Sequence, residues 1–346
     1  MSQSVSFFNF TISKITEHVQ TFKSFEEVLY TVNDRTFGDI ALRLFQFQAS
    51  ENKVYRQYLH FLGVNPHEIQ GIESIPFLPV SFFKDQKVVT GTWTPEIIFT
   101  SSGTTLQQKS SHAVQSLSFY EANCQKTFEY FFGSITNYHF LALLPSYLER
   151  EGSSLIAMSE HFIKKSGSHQ SGFYLNNKEE LIRCLAGLKN DKRKPLLLGV
   201  SFALLDLAEE YEADLSHCIV METGGMKGRR KEITREELHA ILKSRLNIDA
   251  VCSEYGMTEM LSQAYSKGGG MCATPPWVRV LVKEVNDPFA VEKGRTGILN
   301  IIDLANIRSC AFIETRDLAR ITQEGYFEVL GRMDNSDIRG CNLMVE

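Results

Sequence analysis

The seven cysteines of this 346-residue sequence form no Cys-x-x-Cys pair, and their number is odd. A disulfide framework or a zinc site needs paired or closely spaced cysteines, so neither is expected. The start of the chain also lacks a basic stretch followed by a long apolar stretch, which argues against a secretory signal peptide. These absences predict a cytoplasmic protein with reduced thiols.

A surplus of positive charge is missing as well, because the formal net charge is -5. Proteins that bind the phosphate backbone of nucleic acids normally carry a basic surplus, so nucleic acid is not expected as a partner. The basic run at 227–231 is followed at once by acidic residues and is typical of a solvated loop. The most apolar window, 195–208, is shorter than the ~20 residues that a membrane span requires, so no span is expected.

What the sequence does contain is the pattern of an α/β protein. Hydrophobic residues make up 43% of the chain and charged residues 22%, as in ordinary globular enzymes. Helical periodicity predicts a helical N-terminal segment over 1–75, and apolar runs that alternate with helical stretches predict an α/β core over 76–265. Shorter strand-like pieces predict a β-rich subdomain over 266–330, which leaves 331–346 as a C-terminal tail.

Within these segments, several elements can be assigned from the sequence. The α/β core is predicted to have strands at 139–144, 195–200, 217–221 and 248–252, and helices at 202–211 and 234–246. Thr234 and Glu237 fit a capping box at the start of the last helix. The β-rich subdomain is predicted to have strands at 278–283, 298–302, 311–314 and 326–330. Open α/β sheets bind ligands at the carboxyl ends of their strands, so residues that follow the core strands are candidates for function.

A hydroxyl-rich loop follows the apolar run at 96–99. It comprises Ser101, Ser102, Gly103, Thr104 and Thr105 and continues to Lys109. Glycine lets a backbone approach a phosphate closely, amides and hydroxyls can bind its oxygens, and a lysine adds positive charge. The segment is not the loop of the P-loop NTPases, because no second glycine precedes the lysine. Taken alone, it is equally consistent with a Ser/Thr-rich surface loop and a solvated lysine.

Two further motifs follow strand-like runs, namely Gly224-Gly225 and Tyr255-Gly256-Met257-Thr258-Glu259. Paired glycines allow a flat ring to approach the backbone, and a tyrosine offers a face for stacking. A threonine hydroxyl can bind a phosphate oxygen, and a glutamate is a suitable ligand for Mg²⁺. The alternatives are a tight connection between elements, a buried aromatic residue and a surface glutamate.

Together these motifs resemble those of the adenylate-forming superfamily, whose members activate carboxylic acids with ATP as acyl-adenylates. Within it, the sequence is most similar to the acyl-protein synthetases of bacterial luminescence, which form part of a fatty acid reductase complex. The segments that carry this resemblance span most of the chain: 75–79, 145–150, 152–154 and 336–343. The resemblance implies the large N-terminal domain of the adenylate-forming fold, with stacked α/β subdomains, a small β-rich subdomain and no lid domain. It makes the core over 76–265 a nucleotide-binding core and 331–346 a hinge and tail.

The resemblance also implies roles for the motifs. The loop from Ser101 to Thr105, with Lys109, would bind the β- and γ-phosphates of ATP, although Leu106 and Gln108 replace the glycine and proline usual in the family. The adenine ring would lie beside Gly224, Gly225, Tyr255 and Gly256. Thr258 would contact the α-phosphate and Glu259 would bind Mg²⁺.

Two later segments resemble family motifs as well. Asp317, in a segment that departs from the family by having Arg316 in place of glycine, would accept both ribose hydroxyls. Arg332 and Asp334 match the hinge motif, in which the arginine reaches the nucleotide. The family also has a cysteine near the end of the chain that receives the acyl group as a thioester, and Cys341 matches its position. Arg339 would help this thiol to ionise.

The expected function is therefore ATP- and Mg²⁺-dependent activation of a carboxylic acid, a fatty acid in this family, with Thr258, Glu259 and Cys341 as catalytic residues. The family's partner is an NADPH-dependent acyl reductase. The sequence ends twelve residues after Asp334, so the lysine that a lid domain contributes to adenylation is not found here. Two alternatives stay open: transfer to coenzyme A or a carrier protein with a lid supplied in trans, and a nucleotide-binding subunit without turnover.

Overall fold

A computed structural model describes six stretches of the chain: 18–101, 109–145, 152–175, 177–224, 233–284 and 296–333. The chain divides into two compact units. One, which we call the terminal unit, combines Met1–Thr94 with Pro276–Glu346, and the other, the central unit, comprises Pro95–Pro275. This division differs from the four segments predicted from the sequence, and those segment boundaries stay predictions.

The elements follow one another in mixed α/β order. In the described stretches the helices are α1 (18–29), α2 (Phe37–Glu51), α3 (Lys53–Phe61), α4 (Phe82–Asp85), α5 (Leu117–Phe132), α6 (Ser154–Ser166), α7 (Lys178–Gly187), α8 (Ser201–Glu210) and α9 (Arg235–Leu246). The strands are β1 (Leu78–Pro79), β2 (Ile97–Thr100), β3 (Ser111–Val114), β4 (Tyr138–Leu143), β5 (Gly172–Phe173), β6 (Lys194–Val200), β7 (Ile219–Thr223), β8 (Val251–Tyr255), β9 (Ala264–Ser266), β10 (Val278–Lys283), β11 (Thr296–Asp303), β12 (Phe312–Ile321) and β13 (Phe327–Arg332). No helix among the described residues is long and apolar enough to cross a bilayer.

A six-stranded sheet forms the centre of the central unit, with the strand order β5-β4-β6-β7-β8-β9. The first five strands are parallel and β9 runs antiparallel to β8. Every residue of β4 is buried, and β6 is buried after its first residue. Such continuous apolar strands are typical of parallel sheets that are covered on both faces. The core of the unit joins these strands to helices α7, α8 and α9 through residues such as Leu141, Leu185, Leu204 and Leu242.

The predicted elements of this sheet agree with the structure to within about two residues, with one exception. The capping box of α9 is present, because Thr234 Oγ1 accepts a hydrogen bond from Glu237 N and Glu237 Oε2 accepts one from Thr234 N. The strand predicted at 248–252 is wrong in its position, since β8 begins at Val251. Ile248 is buried because it closes the end of α9, where its amide donates to Lys243 O at 3.3 Å.

A two-stranded hairpin, β2–β3, holds the hydroxyl-rich loop at its tip. The strands pair antiparallel from Ile97 and Val114 to Thr100 and Ser111. Gly152 lies against β2 with φ +76°, and its carbonyl accepts a hydrogen bond from Thr100 N at 2.8 Å. A Cβ at this glycine would lie 2.6 Å from a carbonyl oxygen of β2, so only glycine fits.

The terminal unit contains a sheet with the order β1-β12-β11-β10, and β13 pairs with the second half of β12. The long strands are antiparallel, and the ring of Phe312 in β12 packs against the rings of Phe45 in α2 and Tyr55 in α3. The strand predicted at 311–314 is too short, because β12 continues to Ile321. Its second half, 317–321, includes the charged residues Asp317 and Arg320, so the apolar pattern is interrupted although the pairing with β13 continues.

Candidate functional site

The turn after β7 is the first part of the candidate site. Glu222 and Thr223 are buried at the end of this strand, whereas Gly224 is exposed and has φ +67°. Side chains other than glycine rarely adopt this backbone conformation, so the residue type is required by the turn. The second glycine of the predicted pair, Gly225, lies outside the described residues. The turn therefore presents open backbone at the carboxyl end of a parallel strand, as predicted.

Buried polar side chains stabilise this turn. The hydroxyl of Ser201 lies 2.9 Å from Glu222 Oε2 and 2.8 Å from Gly224 O, and it can donate to either acceptor. On its other side the Glu222 carboxylate lies 3.8 Å from Arg235 Nε and 3.9 Å from His239 Nε2. A buried carboxylate needs such partners because its charge is poorly stabilised away from water. This network fixes the end of β7 and the direction of the Gly224 carbonyl.

The ends of β7 and β8 are joined side by side. Thr223 and Glu254 are partners in the parallel pairing, and the Thr223 hydroxyl donates a hydrogen bond to the buried Glu254 carboxylate. A Cβ at Gly256 would lie 2.5 Å from Glu254 Oε1, so a larger residue there would require the Glu254 carboxylate or the chain to shift. Tyr255 is the last residue of β8 and is half-buried. The structure thus brings the Gly224 turn and the start of the Tyr-Gly-Met-Thr-Glu motif (Tyr255–Glu259) together.

The second half of this motif is attached to the β2–β3 hairpin. Thr258 is half-buried and Glu259 is 5% exposed. His112, on β3, has its Nδ1 atom 2.8 Å from the carbonyl oxygen of Thr258, 146 residues further along the chain. A carbonyl oxygen only accepts hydrogen bonds, so Nδ1 must be the donor. The contact places the hairpin beside the motif.

The described ends of the hydroxyl-rich loop lie close together. Ser101 is half-buried, its amide donates to Ser110 O at 3.0 Å, and its hydroxyl accepts from Ser110 N at 2.9 Å. Lys109 is exposed. The remaining predicted phosphate ligands, Ser102, Gly103, Thr104 and Thr105, lie outside the described residues. The loop therefore begins and ends at one closed pair of serines.

Asp317 and Arg332 belong to the terminal unit, where they face each other across the pairing of β12 and β13. Directly opposed residues of an antiparallel pair have Cβ atoms about 5 Å apart, so these two predicted nucleotide ligands are neighbours. The Asp317 amide donates to Thr315 Oγ1 at 3.0 Å. Asp334 and Cys341 lie outside the described residues.

The carboxylate at the end of the motif is of a kind that suits the Mg²⁺ that the resemblance implies. No group of three or more His, Cys, Asp and Glu side chains that could hold a metal occurs in the part of the chain that the structure describes. Mg²⁺ does not need such a group, because it is usually bound by one or two carboxylates together with waters and substrate phosphates. Glu259, the ligand predicted from the sequence, would supply a carboxylate of this kind. It follows the threonine whose backbone is held by His112.

Four of the described cysteines have surroundings that differ from those of a reactive thiol. Burial raises the pKa of four of them, to about 11 for Cys252 and to about 12 for Cys218, Cys272 and Cys310. Cys124 is completely buried, whereas Cys184 is partly exposed. Since the thiolate is the nucleophile, thiols with such raised pKa values are inert at neutral pH.

The central unit also has a cavity of about 550 Å³ beside α8. Its lining includes none of the residues predicted to bind the nucleotide. It is formed by Leu143, Pro145, Leu175, Asn177, Lys178, Glu179, Phe202, Ala203, Asp206, Glu210 and Tyr211.

Sequence reasoning missed three contributors to the site: His112, Ser201 and Glu254. Ser201 directly follows a parallel strand, so the rule that ligands bind at strand ends could have identified it. His112 gives no comparable signal, because its partner is a backbone atom 146 residues away.

Comparison with known proteins connects this fold to solved structures. No protein-family model matches the sequence, and no curated protein sequence matches it. The structure is similar to ATP-bound MatB from Rhodopseudomonas palustris, with 16% identity and a TM-score of 0.53 over 70% of this chain and 49% of that chain. It is also similar to 2-hydroxyisobutyryl-CoA ligase in complex with 2-HIB-AMP and CoA, with 13% identity and a TM-score of 0.62 over 87% of this chain and 68% of that chain.

The chain thus spans about half the length of the MatB structures. At these identities the likeness concerns the fold alone. It confirms the predicted fold class: the described structure has the mixed α/β architecture of the large N-terminal domain of adenylate-forming enzymes.

Proposed function

We propose that this protein activates a carboxylic acid with ATP to form an acyl-adenylate and pyrophosphate. The observation that carries the proposal is the pair of contacts at one edge of the central sheet. Thr223 joins the Gly224 turn to β8 through Glu254, and His112 joins the Tyr-Gly-Met-Thr-Glu motif to the hairpin that bears the hydroxyl-rich loop. The motif is therefore in contact with both the Gly224 turn and the hairpin strands that flank the hydroxyl-rich loop. The similar structures with bound ATP and with 2-HIB-AMP agree with this activity.

In the proposed reaction a carboxylate oxygen of the acid attacks the α-phosphorus of ATP. A new P–O bond forms, the bond between the α-phosphorus and the bridging oxygen breaks, and pyrophosphate leaves. Adenine would lie against the exposed backbone of Gly224 and the ring of Tyr255, and Thr258 would bind the α-phosphate. Asp317 is proposed for the ribose hydroxyls and Arg332 for the nucleotide.

Charge must be compensated in this reaction, because ATP and the acid are both anions. The hydroxyls and amides of the hydroxyl-rich loop, with Lys109, would bind the leaving pyrophosphate and stabilise its negative charge. Glu259 would hold Mg²⁺, which when bound supplies positive charge at the phosphates.

We further propose that the acid is a fatty acid and that its acyl group passes to Cys341. The thiolate would attack the carbonyl carbon of the mixed anhydride, the bond to AMP would break, and a thioester would remain on the protein. Burial of four described cysteines, with raised pKa values, supports an acceptor elsewhere in the chain. An NADPH-dependent acyl reductase would then use the thioester.

A second candidate is transfer of the acyl group to coenzyme A. It is favoured by the similarity to the 2-hydroxyisobutyryl-CoA ligase complex, which contains CoA. In that case the same acyl-adenylate would form, and the protein would carry no thioester at its own cysteine.

The two candidates can be separated in one experiment. Wild type is incubated with ATP, Mg²⁺ and a radiolabelled fatty acid, with and without coenzyme A, while pyrophosphate release and protein-bound label are measured. We expect pyrophosphate release together with hydroxylamine-labile label on the peptide that contains Cys341. Cys341→Ser should still release pyrophosphate but bind no label, whereas Cys184→Ser, the matched control at the partly exposed cysteine, should behave like wild type.

Label that appears only on coenzyme A would favour the second candidate. The absence of acid-dependent pyrophosphate release with a panel of acids would contradict the proposed activity itself.

A further inference from the structure

His112 is a polar side chain placed inside the central unit. It lies in the middle of β3, opposite Phe99 in the hairpin, and is 1% exposed. A buried imidazole is costly unless its ring nitrogens have partners. Its Nδ1 atom has one, the carbonyl oxygen of Thr258 at 2.8 Å. His112 is therefore a buried polar residue whose ring is held by a hydrogen bond to the motif.

The two groups that this hydrogen bond joins have different parts in the proposed site. On one side is the hairpin whose tip is closed by Ser101 and Ser110 and whose first strand packs against Gly152. On the other side is the backbone of Thr258, between the residue proposed for adenine stacking and the carboxylate proposed for Mg²⁺. The bond thus links the β2–β3 hairpin directly to the motif.

A second feature makes the link specific. Thr258 itself is half-buried and follows the exposed Gly256, so this part of the motif leaves β8 and is not held by strand pairing. The side-chain hydrogen bond from His112 fixes its backbone where the regular pairing of the strand has ended. Positions that bind a reacting phosphate need to be held within a fraction of an ångström, because small displacements cost large factors in rate.

We propose that His112 is a positioning residue for catalysis: it holds the Thr258 carbonyl against β3, so that Thr258 and Glu259 keep one arrangement relative to the β2–β3 hairpin. This inference rests on the proposed adenylate formation. It assigns His112 no contact with ATP or with the acid, and its effect passes through Thr258.

The test uses three substitutions that separate the hydrogen bond from the bulk of the side chain. The amide nitrogen of asparagine is attached to Cγ, as Nδ1 of histidine is, so His112→Asn keeps a donor at nearly the same place. The amide nitrogen of glutamine lies one bond further out, so His112→Gln keeps polarity and size but moves the donor. His112→Ala removes both.

Steady-state acid-dependent pyrophosphate exchange is measured for each full-length variant, together with thermal unfolding. We expect kcat to fall about ten-fold for His112→Ala and His112→Gln, which corresponds to about 1.4 kcal/mol, while His112→Asn stays within about two-fold of wild type. The KM for ATP should change little, since an interaction that matters in the transition state lowers kcat and kcat/KM together.

His139→Ala is the matched control. His139 is also buried, 5% exposed, but it stands at the amino end of β4 with its Nδ1 atom 2.6 Å from Ser168 Oγ. Its replacement should lower the unfolding temperature and leave kcat unchanged. If His112→Gln lowers only the unfolding temperature, as His139→Ala does, the role of His112 is structural and the inference is wrong. The inference is equally wrong if His112→Asn is as slow as His112→Gln.

The proposed function can fail separately. If wild type shows neither ATP binding in calorimetry nor pyrophosphate exchange, adenylate formation is wrong, and with it any role of His112 in that reaction. If wild type is active and all three variants match it, adenylate formation stands and only the role of His112 is overturned.

Discussion

The two ends of the parallel sheet in the central unit are both rich in polar side chains, but they use them differently. At the amino end, His139 lies between Ser168 and Asp191, with Nδ1 2.6 Å from the serine hydroxyl and Nε2 3.1 Å from the aspartate. Nearby, Arg193 donates to the carbonyl of Ser166 at 2.9 Å. These contacts stabilise the loops that precede strands β5 and β6.

At the carboxyl end, the polar groups lie beneath exposed glycines. Glu222 and Glu254 are buried, and each accepts a hydrogen bond at the point where Gly224 or Gly256 opens the backbone to solvent. The difference suggests that polar groups at the amino end serve stability, whereas those at the carboxyl end shape a surface for a ligand. Mutations at the two ends should therefore separate activity from stability.

The largest effect is expected for Glu259→Gln, which keeps the shape of the side chain and removes its charge. Loss of one preorganised electrostatic partner typically costs about 100-fold in kcat, and we expect a fall of this size in acid-dependent pyrophosphate exchange. The rate is measured across a Mg²⁺ titration. Glu179→Gln, at an exposed position on α7, is the control and should have no effect. Equal Mg²⁺ dependence in Glu259→Gln and wild type would remove Glu259 from the metal site.

Gly256→Ala should have the next largest effect. The added methyl group would lie 2.5 Å from Glu254 Oε1, so the motif or the carboxylate must shift. We expect kcat/KM for ATP in the exchange reaction to fall about ten-fold or more. Gly187→Ala is a matched control, because a methyl group there meets nothing within 4 Å. Full activity of Gly256→Ala would show that this glycine is not required by the site.

At the amino end, Ser168→Ala should lower stability and leave activity unchanged. The substitution removes the hydroxyl that contacts His139 and that accepts a hydrogen bond from Gln170 N at 3.1 Å. A single hydrogen bond contributes about 1 kcal/mol to the free energy of unfolding. Urea denaturation measures this loss, and pyrophosphate exchange is measured on the same preparation. A fall in kcat without a loss of stability would contradict the inference that polar groups at the amino end of the sheet serve stability alone.

The smallest effect is expected from the acid titration of Asp214, in the loop before β7. The Lys189 ammonium, 2.7 Å away, with further hydrogen bonds from Ser216 and Asn247, holds the pKa of this carboxyl well below its usual range. Because the pKa is lower in the folded state, the resulting stability is present above the unfolded pKa of about 3.9 and is lost as the pH falls below it.

Asp214→Asn should therefore lose less stability than wild type when urea midpoints at pH 5 and pH 3 are compared. Lys189→Met, which removes the ammonium group that contacts Asp214, should show the same smaller loss of stability. A pH dependence equal to that of wild type in both variants would contradict the assignment.

The sequence predicted the parallel sheet well because strands such as β4 and β6 are apolar along almost their whole length. The prediction failed where a residue is buried without belonging to a strand, and where a strand continues although its apolar pattern does not. Ile248 is buried by the end of α9 and not by a strand, and the second half of β12 pairs with β13 although Asp317 and Arg320 interrupt its apolar pattern. In both cases the apolar pattern reports burial, and the strand is defined by backbone pairing.

For the site, the motifs at Gly224 and Tyr255 could be predicted because both stand at the end of an apolar run. The supporting residues could not be predicted in the same way. The contact of His112 with Thr258 depends on how the hairpin packs against the end of β8, and no local pattern encodes such a packing. The residues proposed to bind the nucleotide thus left a signal in the sequence, whereas His112, which is proposed to position them, did not.

The link between His112 and Thr258 also has a consequence for folding. It closes a segment of 146 residues, and contacts between residues so distant in sequence are slow to form because a large loss of chain entropy precedes them. The edge of the sheet that we propose for ATP is thus completed only when the two ends of this long segment come together. A nucleotide that binds there would select completely folded molecules, and at 100 times its Kd it would add about 2.7 kcal/mol to their stability.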